Sequence, residues 1–414
     1  VGDLDIARVN LADSIRLRPV DLEPTRHVDV TNPVSLTGEP LSTLENAVIE
    51  WCKQMEQVLA ESEQMRKEAD DIGPNAELAH WKARMVKFNS ITDQLISPDC
   101  RRVIALLTAA KSRNLLKSWK ELVDRVTDAA NESKDNVKYL YTLERFYEPL
   151  YRTDPLDMIP AIPALINAIK MIYGISRYYN TSERMTSLFV KVTNQMITSC
   201  KDYICLDGSN LWQQDRERLS TKLTNCLRLN DAYQVCFHDV KRQLQETPGA
   251  KQFDFSEMYI FGKLDAFCKR ITKLMDMFTI IERFDQLGQL EIEGVESITK
   301  RFTMVIGSLQ RKPYDMLDHR KMEYDFDYAA FKKQVVDLEV QLQQLMNQLF
   351  ENMTNTERSL TLLQRFRQIK DLPLDLDSKV QAVFVHYTRK DLEAVRKLYI
   401  KHKDKPPIPR NMPP

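Results

Sequence analysis

The sequence predicts an all-α protein: an elongated array of stacked helical bundles, with antiparallel amphipathic helices joined by short Pro/Gly connectors. Three observations carry this. Apolar residues recur at spacings of three and four through most of the chain, the signature of a helix with one inward face. Glycine is scarce, 10 among 414 residues, or roughly 2% against an average near 7%, whereas strand-rich folds need turn glycines. Apolar residues make up 43% and charged residues 29%, which suits a packed core under solvated helix faces.

Residues 1–40 are the exception. A short amphipathic stretch to Leu17 is followed by Pro19, Pro24, Pro33 and Pro40, so an extended linker with one short strand is expected. Ser42 and Glu45 have capping-box spacing, with Leu44, Val48, Trp51, Met55 and Val58 behind them, which predicts a helix reaching Ala69. Gly73-Pro74 stops it, and Asn75 is placed to cap a second helix with the stripe Leu78, Trp81, Met85, Phe88, Ile91 and Leu95. Ser97-Pro98-Asp99 reads as N-cap, first-turn proline and an acid favoured by the helix dipole. Trp119, Leu122, Val126, Ala130, Val137, Leu140 and Leu143 continue the period to Glu148-Pro149.

Asp154-Pro155 opens a further helix, and Asn180 with Glu183 is expected to cap the next, through Leu188, Val192, Met196 and Cys200. A turn at Asp207-Gly208 precedes a helix over 215–244. Pro248-Gly249 is the clearest internal boundary. Beyond it, helices are expected over 255–284 and 298–309, with one long segment over 326–366. In that segment Val335, Leu338, Leu342, Leu345 and Leu349 form a heptad seam. Its neutral neighbours Gln343, Gln344 and Gln348 favour packing within the chain over an intermolecular coiled coil. The domain reading is therefore an extended linker at 1–40, helical bundle regions at 41–247 and 248–405, and a Pro-rich linker at 406–414 to a missing downstream tail. The bends are expected at Gly73-Pro74 and Pro248-Gly249.

Several function classes find no support. The 59 basic residues balance 59 acidic ones, leaving no field to attract nucleic acid or an anionic membrane. The most apolar window, 159–175, is interrupted by Pro160, Pro163, Asn167 and Lys170 and is shorter than the ~20 residues of a membrane span, so a buried bundle helix is expected. No phosphate-cradling G-x-x-x-x-G-K-[ST] occurs, and Gly262-Lys263 lacks the upstream glycine. Cys200 with Cys205, and Cys226 with Cys236, miss metal-ligand spacing, and His238 is the only histidine near them. Seven cysteines without a framework read as reduced, buried thiols of an intracellular chain. The glycosylation-type triplets at Asn131, Asn180 and Asn352 are accordingly discounted. His80 is expected at a rim. Asp70-Asp71, and Asp375 with Asp377, sit beside turns where carboxylates cap helices. Lys397, Lys401, Lys403 and Lys405 form a basic cluster at a helix C-terminus, where positive charge complements the dipole. No catalytic, cofactor-binding or metal-binding residue emerges. The chain lacks an initiator Met and stops on a proline pair, so a fragment of something longer is expected.

The signatures that remain are aromatic. Ala76-Glu-Leu-Ala-His-Trp-Lys-Ala-Arg-Met85, then 115–124, Asn136-Val-Lys-Tyr-Leu-Tyr-Thr-Leu-Glu144 and Ile175-Ser-Arg-Tyr-Tyr-Asn-Thr-Ser-Glu-Arg184 are followed by Trp212 with Arg216-Glu217 and Lys222-Leu223. Residues 253–271, Phe326-Asp-Tyr-Ala-Ala-Phe331 and Pro406-Pro-Ile-Pro-Arg-Asn-Met-Pro-Pro414 complete the series. From residue 41 onward this ordered set resembles the N-terminal tail region of dynein heavy chains, in wording closer to the axonemal, outer-arm type. The resemblance implies a non-catalytic tail of stacked helical bundles that joins heavy chains to one another, to WD-repeat intermediate chains and to light chains. It also implies indirect attachment to docking factors on doublet microtubules in the cytoskeleton of a cilium or flagellum, with the motor ATPase elsewhere in the parent chain. The first forty residues carry no such signature. Trp81, Trp119, Tyr139, Tyr178 and Tyr179 are read as core, at inward spacing, and the faces that meet each subunit stay unassigned. The competing reading is a generic helical tether or spectrin-like spacer with no motor.

Overall fold

The computed structural model describes residues 14–23, 38–68, 73–152, 154–205, 210–353, 356–369 and 373–404. Among them there is no β-strand, and the fold is all-α. The chain divides into two compact units, one of residues 1–209 with 224–268 and one of 210–223 with 269–414.

In the first unit, α1 (Glu39–Glu68), α2 (Pro74–Ile96), α3 (Pro98–Ala109) and α4 (Arg113–Tyr147) follow in chain order, and α1 and α2 both pack along α4. Their shared core contains Val48, Met55, Phe88, Ile91, Leu106 and Val126. Trp51 lies with its ring centroid 5.8 Å from that of Trp119. The described part of the expected linker, residues 14–23, is extended but not a strand. Its backbone is tied to helix side chains: Ile15 N–H donates to Ser90 Oγ at 2.9 Å and Leu17 N–H to Gln94 Oε1 at 2.8 Å. Trp51 Nε1 donates to Arg18 O at 2.8 Å, and Leu17 enters the core. An isolated extended segment must satisfy its amides somewhere, and here side chains replace a neighbouring strand.

Helix starts follow the predicted grammar with shifts. Ser97 caps α3, accepting from Cys100 N–H, with Pro98 in the first turn. Asp154 likewise accepts from Leu156 N–H at 2.9 Å to start α5 (Pro155–Met158). The Ser42/Glu45 capping box does not form. α1 begins earlier, behind Gly38 at φ 76, Ser42 Oγ donates to Glu39 O, and Glu45 accepts from Ser112 Oγ at 2.6 Å. Gly73, not Asn75, is the N-cap of α2, and a Cβ there would meet Gln195 Oε1 at 2.7 Å and Tyr151 Oη at 3.3 Å, so the Gln195 side chain would have to shift to admit one. Thr181, not Asn180, caps α7 (Ser182–Ile204), accepting from Arg184 N–H.

α6 (Ile162–Ile175) packs on α4. The apolar run Pro155–Ile175 is long and apolar enough to cross a membrane by composition alone. Here it breaks into α5, a 3₁₀ turn and α6, and buries Ile162, Leu165, Ile166, Ile169 and Ile172.

α8 (Arg216–Glu246) and α9 (Glu257–Gln289) each pass from one unit into the other. The unit division does not coincide with Pro248-Gly249. Phe253 and Phe255, just beyond that turn, pack with Tyr173, Phe189 and Phe237 at centroid distances of 4.9–6.2 Å. One aromatic cluster thus holds both sides of the turn in the first unit.

The second unit adds α10 (Val295–Gln310), α11 (Glu323–Glu351), α12 (Thr356–Arg367), α13 (Leu376–Ala382) and α14 (Thr388–His402), with a π-helical turn at Val383–Tyr387. α10 packs on α11, and Phe284 stacks on Phe302 at 4.1 Å. The expected single segment 326–366 is two helices, broken after Glu351. The seam also differs: Phe331, Val335, Leu338, Leu342, Met346 and Phe350 are buried, while Leu345 and Leu349 are partly exposed. A straight helix of 3.6 residues per turn drifts away from a strict seven-residue repeat, so the inward line slides from Leu345 to Met346. The seam packs within the chain.

Arg270, 2% exposed, orders the connection between α10 and α11. Its guanidinium donates to Met316 O, Asp318 O and Lys321 O at 2.8–3.1 Å and to Asp325 Oδ2 at 2.6 Å, over the Tyr324 ring. Five fixed donors suit an irregular loop that turns several carbonyls inward. Gly294 sits at φ 87 with Leu345 Cδ1 2.8 Å from where a Cβ would be. Gly294→Ala is expected to cost about 1–3 kcal/mol through left-handed backbone strain and this contact. A urea midpoint equal to that of the parent chain would show that neither matters.

Candidate functional site

Three of the recognisable aromatic residues, Trp81, Tyr178 and Tyr179, meet at a buried polar clamp in the first unit. α2 supplies Glu77 and Trp81, one helical turn apart and so on one face. The loop after α6 supplies Tyr178 and Tyr179, whose N–H groups both donate to Ser176 Oγ at 3.1 and 3.0 Å. α7 supplies Arg184 and Lys191. Glu77 pairs with Lys191 at 3.0 Å, with side chains only 9% and 6% exposed. Tyr179 Oη donates to Glu77 Oε1 at 2.6 Å, and Trp81 Nε1 lies 3.0 Å from both Glu77 Oε1 and Tyr179 Oη. Tyr178 packs edge-on against Trp81 at 4.8 Å and lies under the Arg184 guanidinium at 4.2 Å.

Burial pushes the Glu77 carboxyl up, but the Lys191 charge and the hydrogen bonds from Tyr179, Lys191 and Trp81 outweigh it and hold the group below its ordinary 4.5. Burial, and the adjacent Glu77 charge and hydrogen bond, push the Tyr179 phenol well above its ordinary value. Glu77 is therefore a fixed anion and Tyr179 a fixed donor. The folded chain binds the Glu77 proton less tightly than the unfolded chain, so its stabilisation is full above about pH 4.5 and is lost as pH falls through the depressed folded value. Urea midpoints measured from pH 6 to pH 3.5 are expected to fall at the acid end. A Glu77→Gln/Lys191→Met chain should fall less steeply; an identical slope would remove Glu77 as the cause.

Beside the clamp, Arg84 is buried where the stripe predicted Met85, which is only partly buried. Its guanidinium lies over Trp81 and Phe88 at 5.6 and 5.0 Å, donates to Ser62 Oγ and reaches Glu132 at 3.7 Å. Arg84 and Tyr178 also line a polar groove of about 440 Å³ with Arg125, Asp128, Asp135 and Asn136.

Of the five residues singled out in the sequence, Trp81, Tyr178 and Tyr179 come together in the clamp. Trp119 is buried in the α1–α4 core, away from them in sequence and cluster. Tyr139 is only partly buried, because the inward line of α4 runs through Asn136, Leu140 and Leu143. Sequence reading missed Glu77 and Lys191, since a lone Glu and a lone Lys on helices look solvated. The one available signal was the spacing of Glu77 before Trp81.

Among the described residues no three His, Cys, Asp or Glu side chains gather as metal ligands. His80 is half-buried beside Trp81. Asp375 caps α13. The acidic pair Asp70-Asp71, the turn at Asp207-Gly208, Lys405 and the closing proline-rich signature lie outside the described residues. Burial raises the thiols of Cys52 and Cys100 to about 11 and of Cys268 to about 12. A hydrogen bond to Cys226, with burial, raises Cys200 well above its ordinary value. Thiols so raised are poor nucleophiles.

Comparison with known proteins follows the same line. The family described as dynein heavy chain, N-terminal region 1, matches residues 41–414. Dynein axonemal heavy chain 5 of Rattus norvegicus is 46% identical over 418 residues, covering 100% of this chain and 12% of the relative. Dynein axonemal heavy chain 8 of Homo sapiens is 44% identical, covering 99% and 9%. The flagellar outer arm dynein gamma chain of Chlamydomonas reinhardtii is 41% identical over 380 residues, covering 91% and 8%. The chain thus spans about a tenth of the length of these relatives.

Proposed function

Since the chain belongs to the N-terminal region family of dynein heavy chains, we propose that it is a non-catalytic tail segment of an axonemal, outer-arm-type heavy chain. It scaffolds heavy-chain association and binds WD-repeat intermediate chains and light chains, so that the motor is anchored, through docking factors, on the doublet microtubules of a cilium or flagellum. The observation that carries this reading is the match to axonemal chains along the whole sequence, including 41% identity to an outer-arm chain. The clamp supports it physically. Its charged side chains are spent on one another inside the unit, which fixes helix positions and leaves helix exteriors to meet other subunits.

The segment would also transmit load between the anchor and the motor. Buried hydrogen-bonded charges make three separate pieces of chain move together. The decisive experiment removes residues 41–404 from the parent heavy chain in a flagellated cell. Outer arms should be missing from isolated axonemes, while the purified motor region still drives microtubule gliding. Arms of normal number and composition would overturn the proposal, and a parent chain with no motor would favour a simple spacer.

A further inference from the structure

α14 presents an apolar stripe that no described residue covers. None of its residues is buried, and Leu392, Val395, Leu398, Tyr399 and Ile400 are 59–67% exposed. Leu392, Val395 and Tyr399 fall at the spacing of a helix seam, with Thr388 and His402 completing the line. Arg389 and Arg396 on the helix, and Lys403 just past its end, repeat at seven-residue intervals, each directly following a seam position. They form a ridge of one sign along one edge, at the positions that choose partners in paired helices. The opposite edge holds Leu398 and Asp391, and Asp391 is already engaged by the backbone N–H and hydroxyl of Thr356 at the start of α12. Arg389 also reaches Glu393 at 3.5 Å, an exposed pair worth little.

Resting on the scaffold reading above, we propose that α14 docks an amphipathic helix of a partner polypeptide, whose apolar stripe covers Leu392, Val395 and Tyr399 and whose carboxylates face Arg389, Arg396 and Lys403. The charge pattern selects this occupant. A second copy packed antiparallel would set the basic ridges against each other, and a parallel copy would need the Asp391 that Thr356 holds. An anionic membrane is matched by basic residues on both flanks of an apolar face, whereas here the edge of Asp391 and Leu398 holds no base, Lys390, Lys397 and Lys401 fall by helical spacing on the back of the helix away from the seam, and Asp391, Glu393 and Asp404 lie on or beside the same helix.

The test titrates the 414-residue chain into two labelled helical peptides that share a leucine stripe, one flanked by Glu and one by Lys, with fluorescence anisotropy as readout. The Glu-flanked peptide is expected to bind roughly tenfold tighter, the worth of two or three exposed charge pairs. Arg389→Glu/Arg396→Glu should reverse that preference, and Leu392→Asp/Tyr399→Asp should abolish binding. These side chains are exposed, so both variants should keep the parent melting temperature. Equal affinity for the two peptides, or no binding by either, overturns the proposal. So does self-association through this face in sedimentation, or tighter binding to phosphatidylserine/phosphatidylcholine vesicles than to the peptide. The peptides contain no axonemal component, so failure here leaves the arm-assembly experiment standing on its own.

Discussion

Lys191→Met should lower the unfolding free energy by about 3–5 kcal/mol, because removing one member of a buried ion pair leaves the other charge without its counterion. The remaining carboxylate, Glu77, keeps donors from Tyr179 and Trp81, but two neutral hydrogen bonds do not replace an ammonium group at 3.0 Å. The diagnostic chain is Glu77→Gln/Lys191→Met, which exchanges both charges for near-isosteres and should recover most of the loss. Urea unfolding of the two single and one double variant closes the cycle. Additive losses would mean that the pair is not coupled and that the clamp acts through packing alone.

The second large effect belongs to Trp119. Deleting a buried indole removes its apolar burial and leaves a cavity that helices cannot close, and Trp119→Ala is expected to cost about 3–5 kcal/mol. For a unit of this size that corresponds to a fall in melting temperature of about 10 °C. Trp51, 5.8 Å away by ring centroid, shares the same cavity, so Trp51→Ala and Trp119→Ala should combine to less than their sum. An unchanged melting temperature for Trp119→Ala would contradict its place in the core.

What was legible in the sequence follows from what is local. Ser97 and Asp154 cap as read, because each precedes a proline that fixes the first turn. Ser42, Asn75 and Asn180 fail as caps, because Gly38, Gly73 and Thr181 stood close enough to compete for the same role. The stripe of α2 was right at Leu78, Trp81, Phe88 and Ile91, yet it missed Arg84, whose charge hides a flat group able to cover aromatic rings. The clamp itself depends on pairs such as Trp81 and Tyr179, 98 residues apart, which no periodicity connects. Family resemblance located those aromatics, whereas only coordinates joined them to Glu77 and Lys191. The unit division was equally non-local, since Phe253 and Phe255 answer to Tyr173 and Phe189 on earlier helices.

The raised thiols carry a practical consequence. Cys100, Cys200 and Cys268 are buried on α3, α7 and α9, where burial both covers their thiols and keeps them protonated at neutral pH. Alkylation must therefore wait for a helix to open. The rate at which each cysteine takes up a maleimide thus becomes a clock on the opening of the helix that carries it, readable by mass spectrometry on the folded chain without introducing a single mutation.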